Sequence, residues 1–225
     1  MTIRIGVLGG IGPESTGEFY NKLINKLQEK GLINTNRDFP QIIINSIPAP
    51  ELIYDKISEE ELEPYLRGLK ELEEFKVDFI VMVCNTIHLH HNMLQSKIKT
   101  QILDLRKELK DLLIKNRLKS TFIIGSPSTI KQGLYRFENI QYIEPDEEEI
   151  KLLSDSIFYF NKGTNKKEQI HKVKQICLKY LKKGAETVIL GCTEFAVMLN
   201  NENFPKINTI DVLVEATINK LIQSL

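Results

Sequence analysis

The sequence predicts an α/β fold of two similar lobes. Each is a parallel sheet flanked by helices, and a pseudo-twofold axis relates them with the active site between. Three observations predict it. Strand-like and helix-like segments alternate along all 225 residues, the pattern of parallel strands joined by helical crossovers. Two of the strand segments, residues 77–83 and 187–190, are apolar apart from Asp78 and Thr187, as strands covered on both faces are. The two halves also carry one plan twice: strand, glycine loop with a hydroxyl residue, helix, then an apolar strand ending in a cysteine and a threonine.

In chain order, residues 3–8 read as a strand followed by the loop Gly9-Gly10-Ile11-Gly12-Pro13. Over residues 14–30, Phe19, Tyr20, Leu23, Ile24 and Leu27 share one face at helical spacing, and Gly31 is the stop. Residues 41–47 form a second strand, closed by Pro48-Ala49-Pro50. Ser58-Glu59-Glu60-Glu61 is a capping box opening a helix to about Phe75. Residues 77–83 are the third strand. Helical segments over 89–98 and 103–116 lead to a strand at 121–125, and Ser126-Pro127-Ser128-Thr129 starts another helix. A short strand over 141–143, a helix from Asp146 and a helix over 166–183 follow, with Gly184 as the stop. Residues 187–190 are the next buried strand, a helical run reaches Leu199, and residues 207–210 form a strand before a last helix from Asp211. The lobes divide as residues 1–100 plus the C-terminal helix 211–225, and residues 101–210.

Composition excludes several classes. Lys+Arg and Asp+Glu both number 30, so no charge excess calls for a nucleic-acid or membrane partner. The longest apolar runs, such as Phe79 to Cys84, are far too short to span a bilayer. The opening Met-Thr-Ile-Arg-Ile-Gly lacks a basic region, a long apolar segment and a cleavage site, so a cytoplasmic location is expected. Three cysteines, an odd number, fit a reducing compartment and argue against a disulfide framework.

Cys84 and Cys192 occupy matching places in the repeat, in Val83-Cys84-Asn85-Thr86 and Gly191-Cys192-Thr193-Glu194, close to half the chain length apart. Open α/β sheets place ligands at the C-terminal ends of their strands. If the lobes face each other, the two sulfurs confront one another across a cleft. That geometry suits proton transfer at carbon. Inverting a stereogenic carbon removes a proton from one face and returns one to the other, which one base cannot easily do. A thiolate and a thiol on opposite faces can, with roles that swap with direction. Thiols suit the task because their reference pKa, about 8.5, falls beside hydrogen-bond donors. Asn85, Thr86, Thr193, Ser126 and Thr129 are candidate donors to a substrate carboxylate, and the loop carrying Gly10 and Ile11 lets backbone amides approach closely.

Other motifs receive plainer readings. Cys177 sits inside a helix beside Val173, Ile176, Tyr180 and Leu181 and reads as a small core hydrophobe. Cys84, His88, His90 and His91 have no second ligand arm, so no metal is expected. His88 reads as a residue that orients or activates Cys84, or caps its turn. Ser15 stands where a dinucleotide fingerprint needs its last glycine. Glu194 reads as a helix-start residue rather than a third acid–base group.

These residues resemble the aspartate/glutamate racemase family, which also includes hydantoin racemases, maleate isomerases and arylmalonate decarboxylases. The resemblance covers nearly the whole chain. It rests on Gly-Val-Leu-Gly-Gly-Ile-Gly-Pro-Glu-Ser-Thr at the start, Cys84-Asn85-Thr86-Ile87-His88, loop 125–129, and Gly191-Cys192-Thr193-Glu194. It implies two α/β lobes, a site between them, no pyridoxal phosphate, no metal, a homodimer, and a small amino-acid or dicarboxylate substrate. It implies that Cys84 and Cys192 are the catalytic pair and that Asn85, Thr86 and Thr193 bind the α-carboxylate. Gly163-Thr164-Asn165-Lys166 is similar to a Gly-x-x-Lys stretch whose lysine contacts a carboxylate, which makes Lys166 a further candidate. The sequence departs from aspartate racemases at Ile47-Pro48-Ala49-Pro50-Glu51, where they carry an arginine for the side-chain carboxylate; the next cation here is Lys56. Confinement to aspartate is therefore not expected. Rival readings are a maleate-type isomerase or decarboxylase on the same scaffold, and a non-catalytic carboxylate-binding protein. Retention of both cysteines favours racemisation.

Overall fold

The computed structural model describes residues 3–48, 50 and 58–224. Two parallel four-stranded sheets form its frame. In the first, β1 (Arg4–Gly9), β2 (Gln41–Ser46), β3 (Phe79–Met82) and β4 (Gln101–Ile102) lie in the order β2-β1-β3-β4. In the second, β5 (Ser120–Gly125), β6 (Gln141–Ile143), β7 (Thr187–Gly191) and β8 (Lys206–Asn208) lie in the order β6-β5-β7-β8. The two orders are the same path through space, so the repeat seen in sequence is a repeat of topology. Ile5 pairs with Ile42 and Phe79 in one sheet, and Phe122 with Ile143 and Val188 in the other.

The helices start where the sequence supplies caps. α1 (Pro13–Glu29) has proline in its first turn, where a missing N–H costs nothing, and buries Phe19, Leu23 and Leu27 at four-residue spacing. Tyr20, expected on that face, is 40% exposed, because one step along a helix turns a side chain by about 100°. α2 (Glu59–Glu74) opens on the Ser58–Glu61 capping box. A 3-10 turn (Thr86–His90) and α3 (His91–Gln95) replace the longer helix expected over 89–98, and β4 was not expected at all. The segment between them is organised from afar: Glu73 Oε1 accepts from Lys99 N and Thr100 N, and Gln95 Oε1 accepts from Ile102 N. α4 (Leu105–Lys115) is capped by Asp104, α5 (Pro127–Lys131) by Ser126, and α6 (Glu147–Asn161) by Asp146. α7 (Lys166–Lys182) and α8 (Thr193–Met198) follow. The expected strand over 207–210 ends at Asn208, whose side chain accepts from Ile210 N and draws Thr209 and Ile210 into α9 (Thr209–Gln223).

One apolar cluster runs through Ile5, Val7 and Phe19, Leu105 and Leu109, Phe122 and Ile189, to Leu213 and Ile218. α9 packs on both α1 and α4, so one core serves both sheets. A second cluster, with Leu8, Tyr65, Leu69, Ile80, Met82 and Cys84, covers the opposite face of the first sheet, as strand alternation requires. Among the described residues, no helix is long and apolar enough to cross a membrane.

Candidate active site

Both cysteines follow the C-terminal end of an inner strand. β3 hands over through Val83, whose N–H reaches Leu8 O at 3.0 Å, and Cys84 begins the turn Cys84-Asn85-Thr86-Ile87. Only 7% of Cys84 is exposed. Burial pushes its thiol up to about 12, against the N–H groups of Ile87 and Thr86 and the Thr86 hydroxyl, which favour the thiolate. The Glu194 charge adds to the upward push.

The histidines after Cys84 grip backbone. His88 Nδ1 lies 2.8 Å from Cys84 O, and Nε2 lies 3.4 Å from Leu103 O. Burial lowers its pKa to about 4, so the ring is neutral, donating through Nδ1–H to the closer carbonyl. His88 thus closes the cysteine turn and touches its carbonyl rather than its sulfur. His91 stacks on His88 with centroids 6.0 Å apart, and its Nε2 faces Ile102 O at 3.2 Å. Among the described residues, no group of three His, Cys, Asp or Glu side chains is placed to hold a metal.

Cys192 is the N-cap of α8, just past β7. Its S–H donates to Glu194 Oε2 at 2.8 Å. Thr193 Oγ1 donates to the same oxygen at 3.4 Å, and Asn161 Nδ2 donates to Oε1 at 3.2 Å. Glu194 stands in the first turn of α8, the helix-start place expected from sequence, and is buried there. Burial, the Glu194 charge and the S–H···O bond hold the Cys192 thiol well above its ordinary range, and the charge of Cys84 adds to the push. The two thiols and Glu194 therefore form one electrostatic unit.

Hydroxyls join the turn that carries Cys84 to the turn after β5. Thr86 Oγ1, after β3, lies 2.9 Å from Ser126 Oγ and 3.1 Å from Thr129 Oγ1, both after β5. Asn85 Nδ2 donates to Thr209 Oγ1 at 3.0 Å, and Tyr135 OH donates to Asn85 Oδ1. Thr86, Ser126 and Thr129 are all buried.

The glycine loop walls the same region. Gly10 has φ +83°, and a Cβ there would stand 2.3 Å from Ile47 O. Gly12 has φ +84°, and a Cβ there would stand 2.6 Å from Glu194 Oε1. The Gly10 N–H is spent on Thr16 Oγ1 at 3.0 Å and is not free for a ligand. Ile11 packs in the same apolar cluster as Cys84 and Ile87. Lys166 is engaged by other groups: its Nζ pairs with Glu14 and lies 4.4 Å from the centre of the Phe160 ring. Ala49, Glu51 and Lys56, on which the expectation about the missing arginine bears, lie outside the described residues. Cys177 lies in the core.

A family model for the Asp/Glu/hydantoin racemases matches residues 8–217. The chain belongs to the Asp/Glu/hydantoin racemase family. Membership makes it an enzyme of the racemase class. Among curated relatives, the broad specificity amino-acid racemase RacX of Bacillus subtilis (strain 168) is 25% identical over 225 residues, covering 96% of each chain. Among solved structures, Picrophilus torridus aspartate racemase superposes with a TM-score of 0.79 at 23% identity, covering 97% of this chain and 94% of that one. Glutamate racemase from Francisella tularensis subsp. tularensis SCHU S4, in complex with D-glutamate, gives 0.64 at 18% identity, covering 99% and 82%. At these identities the structures share the racemase fold.

Three residues at the site of this racemase-family chain were missed from sequence. Glu194 offered a local signal, since a carboxylate two residues past a helix N-cap can turn back on the cap. Asn161, at the end of α6, and Tyr135 reach the site only through the tertiary fold.

Proposed function

We propose that the chain racemises free amino acids without a cofactor, moving the α-proton between Cys84 and Cys192. The observation that carries this reading is the pair of buried strand-end thiols, each following an inner strand of one of two sheets of equal order. One thiolate takes the α-proton from one face while the other thiol returns a proton to the opposite face. The electron pair left on Cα delocalises into the substrate carboxylate. That carboxylate needs donors, and Thr86, Ser126, Thr129, Asn85 and Thr193 supply hydroxyl and amide groups in buried surroundings, where hydrogen bonds to developing charge count most.

Both thiols are held protonated by burial, so the substrate ammonium group is part of the device: a positive charge beside them favours thiolate. With each cysteine buried, entry requires the lobes to part. We assign them as residues 1–100 with 211–225, and 101–210; α9 packs on α1 of the first and on α4 of the second and so lies at their seam. We further propose a cytoplasmic homodimer whose substrates extend beyond aspartate, in keeping with the broad specificity that the Bacillus subtilis relative's name records.

The test is a panel of single L-amino acids incubated with the enzyme in D2O and followed by proton NMR and chiral chromatography. The expected result is α-deuterium appearing together with the D isomer for several amino acids. Consumption of an unsaturated or malonate-type acid, with no amino acid exchanged, assigns the scaffold to isomerisation or decarboxylation. Turnover of aspartate alone contradicts the broad range.

A further inference from the structure

We propose that Glu194 is a third proton-transfer group of this site, exchanging a proton with Cys192 Sγ. The proposal rests on the racemase reading above and deepens it. The geometry points there first. The Cys192 S–H is aimed at Glu194 Oε2 across 2.8 Å, a reaction-ready distance for a proton between sulfur and oxygen. A second donor, Asn161 Nδ2, holds Oε1 at 3.2 Å, and Gly12 leaves no room beside that oxygen for a Cβ. The carboxylate is thus fixed from α6 and from the β1–α1 loop, with one oxygen reserved for the thiol and for Thr193 Oγ1.

The charged and titratable neighbours support the same role. Cys192 lies on Glu194's own segment, and Cys84 feels the Glu194 charge from the other lobe. Asn161 and Gly12, the contacts from the other packed elements, do not titrate. Among the described residues, no Lys, Arg or His lies within ion-pair distance of Glu194.

The step balances with no co-reactant. The Cys192 S–H bond breaks, its electron pair stays on sulfur, and an O–H bond forms on Glu194 Oε2. The negative charge passes from carboxylate to thiolate, and the site's net charge is unchanged. Three groups, Cys84, Cys192 and Glu194, then share two protons. In the resting arrangement both thiols keep theirs. In the working arrangement Glu194 and Cys84 hold them, and the Cys192 thiolate is free to take the α-proton. Cys84 then donates to the opposite face and becomes the thiolate, again with no change in total charge.

This makes a prediction about pH that a structural role does not. Thiolate formed by internal transfer does not depend on solvent hydroxide, so wild-type kcat/KM stays flat across neutral pH. In Glu194→Gln the Cys192 proton must leave for solvent, and the rate rises about tenfold per pH unit through neutrality toward the thiol range. Glu194→Asp keeps the charge and the flat profile. The experiment measures kcat/KM by α-deuterium exchange between roughly pH 6 and 8 for wild type, E194Q and E194D, with circular dichroism to check the fold. A flat profile in folded E194Q overturns the role of Glu194 and leaves the two-cysteine reading standing. A wild-type profile that itself climbs tenfold per unit overturns it without any variant. A wild type that exchanges no α-proton from any amino acid overturns both readings together.

Discussion

Thr86 Oγ1 and Ser126 Oγ stand 2.9 Å apart although one follows β3 of the first sheet and the other caps α5 after β5 of the second. The turn after β3 in one half is thus bonded to the turn after β5 in the other, which is the counterpart of the β1 loop. Thr129 Oγ1, 3.1 Å from both, completes the cluster. Three mutually bonded hydroxyls can rotate to present donors to an arriving carboxylate without new buried groups being exposed.

Thr86→Val keeps the shape and removes the shared oxygen. It leaves Ser126 and Thr129 one partner short and takes a donor from the Cys84 sulfur. We expect kcat/KM to fall about 10- to 100-fold, or roughly 1.4–2.8 kcal/mol, with the fold retained. Steady-state kinetics check it. Unchanged kinetics would remove the triad from substrate binding.

His88 gives stability a pH dependence of known sign. Its folded pKa, about 4, lies below the ordinary value near 6.5, so the unfolded chain binds the extra proton first. Stability is full above about pH 6.5 and is lost as pH falls toward 4, by up to roughly 3 kcal/mol. Urea unfolding at pH 7 and pH 5 measures it. His88→Gln should be less stable at pH 7 but show a shallower change between the two. An equal slope in wild type and variant would contradict the assignment.

Gly10→Ala sets a Cβ 2.3 Å from Ile47 O at a positive φ. The loop must shift, and we expect a loss above about 2 kcal/mol, read as a lower thermal midpoint. An unchanged midpoint would show that the loop relaxes without cost.

Lys166 is available to a ligand only when Glu14 releases it. The pair is well exposed, so breaking it changes stability by about 1 kcal/mol or less. Glu14→Gln should lower KM for amino acids by freeing the lysine, and Lys166→Met should raise it, with melting temperatures nearly constant. Equal KM values in both variants would leave Lys166 a surface residue.

Much of this was legible in the sequence, for identifiable reasons. The mostly apolar stretch 77–83, the capping box at Ser58 and the helix start at Asp146 are local signals, and the corresponding strand and helices lie where they point. β4 was hidden because Glu73 and Gln95, from other segments, organise the chain before it. Tyr20 was misplaced because its neighbour Phe19 takes the core direction. At the site, the strand-end position of each cysteine could be read from the repeat. The spacing of Cys192 and Glu194 hinted at their bond, but the burial that fixes it depends on Asn161 and Gly12, both distant along the chain. The engagement of the Gly10 amide by Thr16 was likewise invisible, being a side-chain choice made within the first turn of α1.

The central claim is that two sulfurs serve one carbon. Cys84→Ala and Cys192→Ala, each confirmed folded, are to be assayed for conversion of both L and D isomers of an accepted amino acid. Because the equilibrium constant of racemisation is one, each variant must lose kcat/KM equally in the two directions. The account predicts at least a 1,000-fold loss in each, about 4 kcal/mol. Wild-type turnover persisting in either variant would contradict it.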